Sequence, residues 1–541
     1  MRWRCWVIRI TFILAFFVLI ANIYKIQILK GDEYAIKANA QEKSQAASHL
    51  DRGLIYFTDK NNNPIEAVLN KKYVLVYAVP TEIKDPHSVA LLLSDVVGKD
   101  ISVLEKMLSK KGDQYELLIE KASAEQERKI KDLNITGIHY RDNLSRFYNF
   151  KNMASHLLGI YSPSEDNTTR GRYGLELFFE DYLIGSGTDE QKKDFQQGDS
   201  QDSLYLTIDR NIQSEAERII SNLMKEWKAD SATAIVQDPS TGKILAMASL
   251  PDFDPNDYSK YKIQDFLNPA VESVYEPGSV FKPLTMSAGI DSGKITPQTT
   301  YNDIGFLKLD GATIKNWDNK AHGLQTMTNV IEKSLNTGAA FAEKTMGHKI
   351  FAEYIKKFGF GEKTNVTLPG EVNGSIRNLS SKKNIDFATM SYGQGISVTP
   401  IQMTNAFSAI ANGGVLLKPF IIQGQKPEVI RRVISKETSQ KVIDMMVSAV
   451  DKNILASVDQ YNVAGKTGTA FIPNFGGKGY SENVINTYLG FAPATNPKFV
   501  VYIKLDNPIG MPLAGQTVVP AFRSLTEYLL NYYEIKPDRA N

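Results

Sequence analysis

Cysteine is almost absent from this chain: Cys5 stands alone among 541 residues, so no internal disulfide can form. No Cys-x-x-Cys pair and no Cys/His cluster of zinc spacing exists either. A chain of this length can bury several hydrophobic cores and needs no covalent staple. Histidine is scarce as well. His49, His87, His139, His156, His322 and His348 are scattered, and each reads as a surface or satisfied structural group. No metal and no cofactor is expected. A bias of charge is also missing. Lys+Arg number 62 against 60 Asp+Glu, and the formal +2 gives no basic field that would draw nucleic acid. There is no internal repeat and no low-complexity tract. Long apolar runs are missing everywhere but at one place.

That place is Trp6 to Tyr24, a run with the single charge Arg9 and long enough to span a bilayer. Arg2, Arg4 and Arg9 precede or open it, and Trp6 and Tyr24 stand where interfacial aromatics belong. The charge bias predicts a cytoplasmic tail over 1–5, a single-pass anchor over 6–24, and everything later on the outer side of the plasma (inner) membrane. A cleaved signal is the competing reading. Ala38-Asn39-Ala40 has the small-x-small look of a cleavage site, but Lys25, Lys30 and Lys37 separate it from the apolar run.

Residues 25 to about 50 are polar and resemble a stalk. Tyr73–Val79 is rich in β-branched and aromatic residues and predicts a strand stopped by Pro80. Residues 83–135 are charged and amphipathic, predicting several short helices. Residues 162–172 read as a loop. The polar segment Asp189–Asp202 is the expected boundary, dividing a stalk and mixed α/β pedestal (25–200) from a second domain (203–541). The second domain opens on a strand at Leu204–Asp209, then a helix. A hairpin follows, from Ala232–Asp238 to Ile244–Ser249, turning at Pro239-Ser240-Thr241-Gly242.

The chemistry is concentrated at Ser279-Val280-Phe281-Lys282. A hydroxyl and an amine three residues apart share one face of a helix, and a serine needs a neighbouring base to act as nucleophile at neutral pH. Ser240/Lys243, Ser259/Lys262 and Ser380/Lys383 have the same spacing. The first lies in the predicted turn, the second in a Tyr/Lys-rich segment and the third in a polar loop. Ser279 differs because Pro277-Gly278 precedes it and apolar residues continue to Ile290, which predicts a helix opening at Ser279 with its N–H dipoles aimed at the nucleophile. Pro283 sits awkwardly one turn into such a helix. Ser334-Leu335-Asn336 and Lys466-Thr467-Gly468-Thr469 follow. Alone, each reads as a cap or a turn. In this order the three form the set of the penicillin-recognising serine enzymes.

Each residue type suits that chemistry. Ser279 attacks a carbonyl, and Lys282, kept neutral by burial and cationic company, takes its proton. Ser334 relays a proton to the leaving amine. Asn336 offers a donor and an acceptor to a peptide backbone. Lys466 supplies positive charge, and Thr467 and Thr469 supply hydroxyls for a terminal carboxylate. Gly468 has no Cβ, which lets a substrate strand lie close to this strand. The backbone N–H groups of Ser279 and Thr469 are the expected oxyanion hole.

Over nearly its whole length the chain resembles a class B penicillin-binding protein, a monofunctional peptidoglycan transpeptidase. Tyr275-Glu276-Pro277-Gly278-Ser279-Val280-Phe281-Lys282-Pro283 is close to that family's active-site run. Arg52-Gly53-Leu54-Ile55, Arg146-Phe147-Tyr148 and Gly174-Leu175-Glu176 resemble its pedestal motifs, although Thr58-Asp59-Lys60-Asn61 departs from the usual continuation of the first. Tyr392-Gly393-Gln394-Gly395-Ile396-Ser397-Val398-Thr399-Pro400-Ile401-Gln402, then Gly490-Phe491-Ala492-Pro493 with Asn496-Pro497, resemble the division and sporulation branch. The middle motif has Leu335 where the family commonly has Asp. The resemblance implies a multidomain α+β protein: a transmembrane helix, an elongated pedestal, and a β-lactamase-like transpeptidase domain with a five-stranded antiparallel sheet flanked by helices. The Lys466 segment would be its inner-edge strand. It implies stem peptides ending in D-Ala-D-Ala as substrate, β-lactams as covalent ligands, and septal wall synthesis. The stalk is too short for a glycosyltransferase domain, so the resemblance implies a SEDS-type membrane glycosyltransferase and divisome proteins as partners.

Two other readings compete. A D,D-carboxypeptidase or β-lactamase would hydrolyse the acyl-enzyme, with Glu371 in Leu368-Pro369-Gly370-Glu371 as the residue to activate water. A β-lactam sensor or divisome scaffold would not be an enzyme; a sensor is expected to need signalling segments on the other membrane face, where about five residues precede the anchor, and an inactive scaffold has no need of three intact motifs. The Phe471–Asn486 segment, with Gly476-Gly477-Lys478-Gly479, is expected as a loop bordering the acceptor side.

Overall fold

The structure, a computed structural model, describes residues 52–163, 168–188, 202–474, 479–510 and 513–539, with Trp3, Phe16, Phe17, Leu19, Ile20 and Tyr24 near the start. The expected anchor at 6–24, the stalk and the boundary at 189–201 thus lie almost wholly outside the described residues. Among the described residues no helix is long and apolar enough to cross a membrane.

The chain divides into two compact units. The smaller holds 70–145 and 163–169; the larger holds 53–69, 146–162 and 170–541. In the smaller unit, helices Pro86–Val97, Ile101–Leu108 and Ala124–Asp132 bury Ala90, Leu93, Leu104 and Ile130 with Val76 and Leu118. Asp85 caps the first through the Ser88 N–H, and Ser123 with Gln126 forms a capping box on the third. The short helices expected over 83–135 are there, but Glu116–Ala122 is a strand. Its Leu118 is buried against the same core, an alternation that the surrounding charge obscures. The strand expected at Tyr73–Val79 extends over Pro64–Ala78.

The larger unit is built on one antiparallel sheet. Its strands are β1 (Ser231–Gln237), β2 (Ile244–Leu250), β3 (Ala464–Pro473), β4 (Tyr480–Ala492) and β5 (Phe499–Asp506), in spatial order β3-β4-β5-β1-β2. Nearly every residue of β1 and β5 is buried, so these strands read as continuous apolar runs rather than alternating ones. Helices cover both faces. α1 (Arg210–Trp227) packs on one face. α2 (Lys282–Asp291), α3 (Met327–Lys333), α4 (Asn336–Met346), α5 (Pro400–Ala411) and α6 (Lys436–Lys452) build the core on the other side, and α7 (Val518–Tyr532) joins α1. β3 is an edge strand. The expected loop Phe471–Asn486 is largely hairpin, since β3 and β4 stay paired out to Pro473 and Tyr480.

The three pedestal-type motifs meet inside this larger unit. Arg146 Nε donates to Glu176 Oε1 at 2.7 Å, and Arg146 Nη1 donates to the Gly53 carbonyl at 2.8 Å. Both side chains are almost fully buried.

Candidate active site

Ser279 does not open an α-helix. Gly278–Phe281 is a 3₁₀ turn, and the α-helix begins at Lys282. Pro283 is then the second helical residue, where a missing N–H leaves no bond unmade. The awkward proline is thus the helix's start signal, one turn later than expected. Gly278 takes φ +62°, and the turn is held from two sides. On one, its N–H donates to the Gly393 carbonyl, and a Cβ on Gly393 would fall 2.2 Å from the Gly278 oxygen. On the other lies β3. A Cβ on Gly468 would meet the Pro277 oxygen at 2.9 Å and Val280 Cγ1 at 3.0 Å. The structure gives Gly468 a reason of its own beside the expected one: it lets the edge strand press on the turn that carries Ser279.

α2 is buried along almost its full length, so Lys282 emerges from the core with no exposure at all. Its Nζ lies 3.0 Å from Ser279 Oγ, 2.7 Å from the Ser334 carbonyl, 3.2 Å from Ser334 Oγ and 2.9 Å from Asn336 Oδ1. Two of these are carbonyl-type oxygens that only accept. A neutral amine gives them its two N–H bonds and keeps its lone pair for the Ser279 hydroxyl. Burial, and next the charge of Lys466, hold the Lys282 amine well below the usual lysine range.

Ser334 ends α3 in a left-handed conformation, φ +57°, and α4 starts two residues later at Asn336. This break turns Ser334 Oγ between two amines, with Lys466 Nζ donating to it at 3.0 Å. Lys466 is 4 % exposed and also donates to Thr467 Oγ1 and O at 3.1 Å. Burial brings its amine down to about 7. Thr469 Oγ1 accepts from the Ala514 N–H. Ser279, Ser334, Lys466, Thr467 and Thr469 line one cleft of ≈ 750 Å³, whose walls include Trp317 and Leu513. Asn336 reaches the cluster through Lys282.

Glu371 is not on this cleft. Its carboxylate accepts from the Thr364 N–H, the Thr364 hydroxyl and the Asn365 N–H and closes its own loop. The three other Ser-x-x-Lys pairs also stand apart. Ser240, for example, bonds to Asp238 within its turn.

Several supporting residues were not singled out from sequence. Glu276 accepts from the Gly395 N–H and the Tyr480 hydroxyl, so one half-buried carboxylate ties the turn carrying Ser279 to the 392–400 run and to the β3–β4 hairpin. Asp303, Asn316 and Thr337 form a buried network behind Asn336. Their only sequence signal was adjacency to a motif, in the case of Thr337.

Known proteins resemble this chain over most of its length. Residues 232–527 match the penicillin binding protein transpeptidase domain, and residues 48–205 match the penicillin-binding protein dimerisation domain. Stage V sporulation protein D of Bacillus subtilis is 32% identical over 94% of this chain and 82% of its own length. The Escherichia coli peptidoglycan D,D-transpeptidase FtsI is 26% identical over 99% and 93%. Among solved structures, Penicillin Binding Protein 2X from Streptococcus thermophilus superposes with a TM-score of 0.71 at 24% identity, covering 90% of this chain and 80% of that one. This chain belongs to the class B penicillin-binding proteins, which join a dimerisation domain to a serine transpeptidase domain.

Proposed function

We propose that this chain crosslinks peptidoglycan by D,D-transpeptidation through an acyl-enzyme on Ser279. The observation that carries the reading is the set of oxygens around Lys282 Nζ, which leaves its lone pair directed at Ser279 Oγ. Lys282 takes the hydroxyl proton as Ser279 Oγ bonds to the carbonyl carbon of the penultimate D-Ala. The backbone N–H groups of Ser279 and Thr469 receive the oxyanion. The C–N bond breaks, a proton passes through Ser334 to the leaving amine, and D-Ala departs. Lys466, Thr467 and Thr469 hold the terminal carboxylate, and Asn336 holds the stem backbone. An amine of a second stem then attacks the ester and frees Ser279. β-Lactams acylate the same oxygen. Glu371, the residue that a β-lactamase reading would use to activate water, is bonded within its own loop, which favours transfer over that reading.

The wall made is that of division or sporulation, a reading supported by the 392–402 run and by the likeness to a stage V sporulation protein. We further propose that 6–24 anchors the chain in the plasma membrane with 1–5 cytoplasmic, 25–200 as stalk and pedestal, and 203–541 as the catalytic domain outside. A SEDS-type glycosyltransferase and divisome proteins would be its partners there.

The test supplies a stem-peptide thioester or D-Ala-D-Ala donor with and without an acceptor amine. Transfer to the amine is expected to exceed hydrolysis, with a penicilloyl-enzyme that persists for minutes. Turnover of penicillin within seconds would overturn the transpeptidase reading in favour of a β-lactamase.

The two buried amines also predict a pH profile. The competent state has Lys282 neutral and Lys466 charged. Acylation therefore rises with pH as Lys282 loses its proton and falls as Lys466 loses its own at about 7. A guanidinium stays charged across this range. Lys466→Arg is expected to lose the falling limb, whatever its plateau, in a stopped-flow profile of acylation. A falling limb that stays in place would assign it to another group.

A further inference from the structure

Ser334 and Asn336 sit on a junction between two helices, closed locally by the Ser334 and Leu335 N–H groups on the Val330 carbonyl. Ser334 is a non-glycine residue at φ +57°, between two helices, in a conformation that costs free energy unless its surroundings impose it. Lys282 and Lys466 bond to Ser334 itself, and the residues on either side of it are held by one further segment. Residues 300–326 fold as two small antiparallel hairpins, Thr300–Asp303 with Gly323–Thr326 and Phe306–Leu309 with Ala312–Lys315. The three consecutive residues that leave the second hairpin each reach the junction. The Lys315 carbonyl accepts from Asn336 Nδ2 at 2.9 Å. Asn316 Oδ1 accepts from the Thr337 N–H at 3.3 Å. The Trp317 indole N–H donates to the Lys333 carbonyl at 3.0 Å, although its ring is 59 % exposed.

We propose that Lys315-Asn316-Trp317 is a positioning clasp for Ser334 and Asn336, anchored by the buried Asp303–Thr337 pair. The anchor is specific. Asp303 is 1 % exposed, and its carboxylate accepts from Asn316 Nδ2 at 2.8 Å, from Thr337 Oγ1 at 2.8 Å and from the Gly305 N–H at 3.0 Å. A hydroxyl has one hydrogen, and the shortest contact assigns it to Asp303. Thr337 Oγ1 then accepts from the Tyr301 hydroxyl at 3.2 Å. The effect is to fix where the first turn of α4 begins, and therefore where Asn336 Oδ1 meets Lys282 Nζ. If Asn336 slides, Lys282 loses one of the two acceptors that aim its lone pair at Ser279. The clasp residues touch neither the nucleophile nor the base, so they position the catalytic set without joining it.

The inference rests on the reading of Ser279 as nucleophile, and its test separates the two. The full-length chain in detergent is acylated with fluorescent penicillin at several concentrations, which yields a limiting rate for each variant. Thr337→Val keeps the shape and removes the hydroxyl. Its limiting rate is expected to fall at least about tenfold, since a small misplacement of a catalytic group has that scale of effect. Thr337→Ser restores the hydroxyl and is expected to recover most of the rate. Trp317→Phe keeps a ring and loses the N–H, and is expected to fall in the same direction by a smaller factor. Equal rates for wild type and Thr337→Val would overturn the clasp, as would Thr337→Val and Thr337→Ser slowed alike. A lowered melting temperature with acylation per folded molecule unchanged would also overturn it, reducing the network to structural support. The nucleophile reading is measured separately, by mapping the label to Ser279 in the wild type. The clasp is measured by the ratio of variant to wild-type rates.

Discussion

Lys282→Ala is expected to slow acylation by penicillin by about 10³- to 10⁴-fold, and Ser279→Ala to abolish it. The argument is one of counting. The Lys282 amine faces four oxygens, and the two carbonyl-type acceptors at 2.7 and 2.9 Å use the two N–H bonds of its neutral form. What remains is a lone pair 3.0 Å from Ser279 Oγ, on a side chain with no exposure to water. No other base among the described residues is given a hydrogen bond to that hydroxyl. Removing Lys282 therefore leaves a serine hydroxyl near its ordinary reactivity, with only binding and the oxyanion contacts to assist it. Because the two residues act as a unit, the double variant should be no worse than Ser279→Ala alone. Gel fluorescence and mass spectrometry of the labelled peptide measure both. Residual labelling of Ser279→Ala at another serine would overturn the assignment. A Lys282→Ala variant within tenfold of wild type would move the base elsewhere.

The second large effect is on stability. Arg146→Ala should destabilise the larger unit by about 3–5 kcal/mol, the range for removing one partner of a buried ion pair. The Glu176 side chain has no exposure, and that of Arg146 is 3 % exposed. Truncation also removes the donor that the Gly53 carbonyl receives from Nη1. The cost arises from the charge left behind, so the double variant Arg146→Met with Glu176→Leu should recover most of the loss. Urea unfolding followed by tryptophan fluorescence tests both. A double variant no more stable than Arg146→Ala would mean that the pair does more than satisfy its own burial.

These two predictions differ in how much of their basis was legible beforehand. Ser279, Lys282, Ser334, Asn336 and Lys466 were legible as candidates because acyl transfer constrains residue type and order along the chain, and the structure brings them together. The meeting of Ser279, Ser334 and Asn336 at the Lys282 amine, with Lys466 bonded to Ser334 Oγ, was not readable, since Asn336 and Lys466 lie far from Ser279 along the chain. The helix start was misplaced by one turn because a proline at the second helical position and a proline inside a helix look alike until the start is known. Gly468 was assigned to substrate access because a glycine in a strand announces close approach without saying of what. The structure gives the neighbour as Pro277 and Val280. Residues 300–326 carried no signal, since their hairpins are short, exposed and unremarkable in composition. Arg146 and Glu176 were visible as separate motifs and acquire their meaning only as a pair.

By itself the order of residues along this chain pointed to the chemistry: a hydroxyl beside an amine, two later motifs, and no pair of cysteines, Cys/His cluster of zinc spacing or basic field to suggest anything else. Local physics settled it, because a nucleophile and its base can be neighbours in sequence and an absence needs no coordinates. The tertiary structure alone decided which oxygens surround Lys282, what presses on Gly468, that Glu371 serves its own loop, and which distant segment bonds to Lys333, Asn336 and Thr337 on either side of Ser334. Those are contacts between segments far apart in the chain. They are set by how helices and an edge strand pack, and packing at that range leaves no period or spacing in the sequence to read.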